Sequence, residues 1–134
     1  NFGLIVQNTL AFCDHLVAPL QCEAICHQSL IDNISILNKY KYDIGATWDT
    51  TYIRTMVGDD NDSKYFCKAY EDLGVDVCPY PIRRSVMASA AYLERESILE
   101  YHTKPGKDGK TTIADDYYNV ICDIYGRITN GSKD

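Results

Sequence analysis

No stretch of this 134-residue chain approaches the ~20 consecutive apolar residues that cross a bilayer, which excludes a transmembrane segment. Positive charge is also short. The 13 Lys+Arg stand against 19 Asp+Glu for a net charge of −6, so the surface is not built to grip nucleic acid. Phosphate-cradling glycine loops, a nucleophile elbow and HExxH are all missing, and the three histidines are scattered. No catalytic, metal-binding or cofactor-binding residue is therefore assigned, and the balance is against an enzyme. Proline and glycine never cluster into a linker and no segment repeats, so residues 1–134 read as one domain.

Cysteine and tyrosine are abundant instead, at six and eleven residues. Cys13, Cys22, Cys26, Cys67, Cys78 and Cys122 form an even set without a CxxC pair, which predicts disulfides. Zinc is the rival reading, with Cys13, Cys22, Cys26 and either His15 or His27 as ligands. Asn-x-Ser/Thr acceptor triplets begin at Asn33, Asn61 and Asn130, against about one expected from composition. The chain opens at Asn1 with no methionine and no hydrophobic leader, which fits a removed signal peptide. These features together predict a secreted, extracellular glycoprotein, because disulfides persist in oxidising compartments.

The apolar periodicity reads as helical. Steps of three and four residues predict a first helix from Phe2 to Val17, ended by Pro19, and a second from Cys22 to Tyr40 with Ile25, Ser29, Leu30, Ile34, Leu37 and Tyr40 on adjacent faces. A short third helix begins at Thr47, with Trp48, Tyr52, Ile53 and Met56 inward. Ser63 caps a fourth that Gly74 stops. The run from Val75 to Pro81 is extended because of its prolines. A long fifth helix covers Ile82–Tyr101, Lys104–Lys110 is a loop, and Thr112–Asp115 is close to a capping box that opens the last helix, which runs to Gly126. The expected fold is all-α, with five or six helices in one compact disulfide-linked bundle. Were the first two helices a hairpin about Pro19, Cys13 and Cys26 would lie equally far from its turn, which predicts a Cys13–Cys26 bridge.

Eleven tyrosines are too many to bury with every hydroxyl paired, and half-exposed tyrosine suits protein–protein contact. The leading expectation is a binding protein that acts through its surface on another extracellular protein or on itself. A second is a carrier whose internal cavity, lined by Phe12, Trp48, Tyr52, Met56, Met87 and Leu93, holds a small lipophilic ligand. A third is a small secreted hydrolase using Glu96, Glu100 and His102. Asp60-Asn61-Asp62 does not make a calcium loop, since the fifth and sixth positions hold Lys64 and Tyr65.

The run Cys22-x3-Cys26-x40-Cys67-x10-Cys78 resembles the second-to-fifth cysteine spacing of insect odorant-binding proteins, secreted helical carriers of lipophilic molecules. The Cys13–Cys26 bridge is similar to that family's first-to-third link. The outer gaps, 8 and 43 residues, depart from the family pattern. The resemblance implies a disulfide-laced helical architecture and supports the carrier reading.

Overall fold

The computed structural model describes residues 3–101 and 112–131. Its centre is a sheet. Strand β1 (His15–Gln21) runs parallel to β2 (Asp49–Thr55), in register from His15 opposite Asp49 to Gln21 opposite Thr55. Helix α1 (Leu4–Phe12) precedes β1, and α2 (Ala24–Asp43) makes the crossover between the strands. After β2 come α3 (Asn61–Ala69) and a 3-10 turn, Glu71–Leu73. The chain ends in α4 (Val86–Glu94), α5 (Ile98–Tyr101) and α6 (Ile113–Gly131). The all-α disulfide-linked bundle is thus overturned in favour of a mixed α/β fold.

The physical reason lies in two segments read as helix. Residues 49–55 are dense in β-branched and aromatic side chains, and Thr51, Tyr52, Ile53 and Arg54 are buried in succession. Continuous burial marks a central strand covered on both faces, which a helix stripe cannot produce. In residues 15–21 side chains at 17, 19 and 21 are exposed while those between are half-buried, the alternation of an edge strand. Pro19 is tolerated there because the amide of Cys22 bonds the Thr55 carbonyl, so even-numbered amides face β2 and the missing donor of Pro19 faces outward.

On its other edge β2 meets residues 76–84, which lie parallel to it: the amide of Cys78 bonds the Tyr52 carbonyl, and that of Ile82 bonds the Arg54 carbonyl. The extended reading of Val75–Pro81 agrees with this. Tyr52 pairs with Val77 and Val57 with Arg83, so five steps along one chain oppose six along the other. From the Tyr52 carbonyl to that of Arg54 two steps oppose the four from Cys78 to Ile82, so two extra residues bulge at Pro79-Tyr80-Pro81, where the prolines offer no amide. One extra residue between Arg54 and Val57 leaves the net difference of one. Arg54 fills the proline bulge. Its guanidinium donates to the carbonyls of Cys67, Cys78 and Pro79 and pairs with Glu71.

Alternate residues of β2 feed two cores. Tyr52 packs with Cys22, Leu30 and Tyr70 on the face covered by α2 and α3. Ile53 packs with Cys78, Ile82, Ile113 and Val120 on the face covered by α4, α5 and α6. Right-handed crossovers place α2 and α3 on the same face, as observed.

Several helix ends follow from local chemistry. Asp60, not Ser63, caps α3: its carboxylate accepts from the Ser63 amide, while the Ser63 hydroxyl accepts from the Gly58 amide. Gly74 adopts φ 66° and ends the turn as expected. The long fifth helix is broken in two. Residues 82–84 are spent pairing with the sheet, Ser85 caps α4 through the Met87 amide, and Arg95 turns left-handed at φ 59°. Thr112 and Asp115 do form a capping box at the start of α6. Phe2, His102 and the Lys104–Lys110 loop lie outside the described residues.

All six cysteines are free, with no sulfur pair at bonding distance. The Cys13–Cys26 bridge fails because β1 stands between them: its 7 residues span about 20 Å, far beyond the ~7 Å limit between bridged α-carbons. Cys22 and Cys67 do share one core, and the Cys22 thiol is raised to about 12 by burial first and by the neighbouring Cys67 second. A thiol so protonated behaves as a small apolar side chain. With these findings the architecture implied by the odorant-binding resemblance is set aside.

Candidate functional site

Two depressions flank the sheet. The first is an open groove of about 570 Å³. Residues 18–21 of β1 form one wall; Ile25, Cys26, Ser29, Leu30, Asn33, Ile34 and Leu37 form the other, with Tyr52 at the floor. The α2 positions advance alternately by one and three residues, a single helical stripe. This stripe holds Ile25, Ser29, Leu30, Ile34 and Leu37, which the sequence places on adjacent faces of one helix. It faces the sheet, but β1 is the last strand on that side among the described residues, so nothing continues the sheet beneath its outer half. Ile25 is 76% exposed as a result. None of the twelve lining residues carries a charge, in a chain where 24% of residues do.

The second depression, also about 570 Å³, lies at the carboxyl ends of β2 and of the 76–84 segment, bounded by Gly58, Asp59, Asp60, Pro81, Arg83, Arg84 and Asp116. Parallel sheets commonly place ligands at this end, so topology draws attention to it. Its charges, however, are largely committed to the fold. Asp116 of α6 accepts from the Arg83 backbone amide, Nε and Nη2, at 3.1, 2.6 and 2.7 Å, which clamps α6 to the sheet. Asp60 caps α3, and the Ser63 amide holds its carboxyl below the usual range. Asp59 and Arg84 act on Arg83 and Asp60 through space. The signal that could have found this cleft is the strand–helix–strand alternation, hidden once both strands are read as helix.

The expected site residues fall in different places. Of the six proposed cavity residues only Tyr52 reaches the groove. Phe12 is 89% exposed on α1, Trp48 is buried beneath the Lys41 ammonium, and Met56 follows β2 with φ 57°. Met87 packs against the α4–α6 core, and Leu93 lies on a surface hollow with Glu96. They do not enclose one cavity.

The zinc ligands are likewise apart. Cys13 donates to the Leu10 carbonyl, His15 Nε2 meets Thr51 Oγ1 at 2.9 Å, and His27 lies against the Phe66 and Tyr70 rings. Among the described residues no three such side chains are grouped to hold a metal. Glu100 of the hydrolase set is bound by the Ser97 amide and hydroxyl, which hold its carboxyl below the usual range, and His102 lies outside the described residues.

Of the glycosylation asparagines, Asn61 and Asn130 are exposed, and Ser132 of the last triplet lies outside the described residues. Asn33 lies within α2 on the groove wall, its amide donating to the Ser29 carbonyl at 2.6 Å. Tyrosine exposure is divided: Tyr42, Tyr65, Tyr80, Tyr92, Tyr118 and Tyr125 face solvent, while Tyr52 and Tyr70 are buried. Among the described residues no helix is long and apolar enough to cross a membrane. No protein-family model matches the chain, and no curated protein matches it.

Proposed function

We propose that this protein is a recognition module that binds through the uncharged groove between β1 and α2, its partner an apolar surface on another protein or on a second copy of itself. The observation that carries this reading is an apolar stripe on α2 left half uncovered. An exposed apolar surface of this kind, rimmed by polar residues, is what binding sites present and what a solvated helix face does not. The polar cleft competes on topology but has most of its charges occupied in holding α3 and α6. Extracellular location is part of the proposal and rests on the exposed acceptor asparagines Asn61 and Asn130. Intact mass before and after glycosidase treatment tests it.

A second reading is favoured by the groove's size and chemistry: a volume of about 570 Å³ without a charged wall also suits a small lipophilic ligand. Nile red, an uncharged apolar fluorophore, tests the site common to both. Ile25→Asp and Ser29→Arg place charge at the exposed mouth of the groove, and each should weaken binding at least ~10-fold. Val86→Asp, on exposed α4, should leave it unchanged. Equal binding by all four proteins would reject the groove. Native mass spectrometry then separates the readings, since a copurifying small molecule supports the carrier and a bare chain supports polypeptide recognition.

A further inference from the structure

We infer that the occupant of this groove is helix α1 of a second copy of the chain, an inference that rests on the groove being the recognition surface. Helix α1 is another apolar feature without a cover, and unlike the exposed faces of α4 and α6 it lies on a helix with no charged residue. Leu4, Ile5 and Phe12 are 73%, 83% and 89% exposed, and together with Asn8 they share one face of the helix. The sequence of α1, LIVQNTLAF, contains no charged residue, so helix and groove match in chemistry.

They also match in length. Nine residues make a helix of about 14 Å, while the α2 stripe from Ile25 to Leu37 runs about 18 Å. Within one copy α1 is held elsewhere: the Tyr40 hydroxyl donates to the Gln7 carbonyl at 3.0 Å, and Leu10 is buried, so the helix is anchored by its opposite face. The exposed face is therefore presented outward from the far end of α2. A copy with net charge −6 repels its twin, so contact is best made where neither surface is charged, and added salt should strengthen it. Reciprocal exchange of α1 between two copies uses the contact twice and closes a dimer; one-way exchange makes an open chain.

Sedimentation of the full chain over a concentration series, with Phe12→Asp and Ile25→Asp variants, tests this. Each variant alone should lose at least ~30-fold in self-association, the scale of an interface hot spot. Both positions are exposed, so circular dichroism should show both variants folded. The decisive arm is the mixture. Ile25→Asp keeps an intact α1 and Phe12→Asp an intact groove, so together they should form a one-to-one complex that neither forms alone. Val86→Asp should associate as the unmodified chain does. A mixture that stays monomeric overturns the inference, and so does an unmodified chain that remains monomeric to ~1 mM. If Nile red still binds the groove in that case, the recognition surface stands without the second copy.

Discussion

Replacing Arg54 with alanine should remove the pin that holds the bulged segment against β2. The side chain is buried and donates to three backbone carbonyls, those of Cys67, Cys78 and Pro79, as well as pairing with Glu71. Hydrogen bonds from a charged donor contribute about 1.5–3 kcal/mol each, and truncation leaves the carbonyls without that donor. Removing a buried charge recovers several kcal/mol of desolvation, so the net loss should be about 3–5 kcal/mol. That is a large part of the ~5–15 kcal/mol that stabilises a typical domain. For a chain of this size it corresponds to a fall in Tm of roughly 10–20 °C.

The paired variant sharpens the test. Glu71 has a side chain 54% exposed, so its ion pair is screened by water and Glu71→Gln should cost less than ~1 kcal/mol. Arg54→Lys should fall between, because an ammonium cannot span the three acceptors as a guanidinium does. Urea unfolding followed by circular dichroism reads all three. A loss below ~1 kcal/mol for Arg54→Ala, or equal losses for Arg54→Ala and Glu71→Gln, would refute the assignment of Arg54 as the bulge's anchor.

Alkaline pH should destabilise the fold early. Burial raises Cys22 from 9.0 to about 12 and also raises Tyr52 and Tyr70, so the folded state holds more protons than the unfolded one from about pH 9 upward. Stability should be full below that pH and decline up to about pH 12; Cys22→Ala should flatten the decline, and a flat profile for the unmodified protein would contradict it. Gly74→Ala should cost about 1 kcal/mol through backbone strain alone, because its φ is 66° and an added methyl would meet nothing within 4 Å. A neutral result in urea unfolding would mean that Gly74 does not hold a left-handed turn.

Local chemistry was the part of the fold that could be read from the chain. The α2 stripe, the stop at Gly74, the extended prolines at 79 and 81 and the Thr112–Asp115 box each follow from a few adjacent residues, and each is found. The strands escaped because their deciding partner is remote. His15 pairs with Asp49 across the whole of α2, and nothing within either segment reports that pairing. Trp48, Tyr52 and Met56 happen to recur at helical spacing, although Thr50–Ile53 has strand composition. Pro19 signals a break in a helix and an edge in a sheet with equal force.

The groove was half legible for the same reason. Ile25, Leu30, Ile34 and Leu37 announce a face to be covered, but whether another strand covers it depends on where the sheet ends. The cysteines misled differently. An even count predicts bridges only if the fold brings pairs together, and β1 holds Cys13 and Cys26 at its opposite ends.

The most direct test is amide NMR of the full chain titrated with Nile red. Binding in the groove predicts chemical-shift changes concentrated in Ala18, Leu20 and Gln21 of β1 and along Ile25–Leu37 of α2, with Gly58–Asp60 and Arg83–Arg84 unmoved. Shifts confined to the polar cleft, with β1 and α2 silent, would contradict the account.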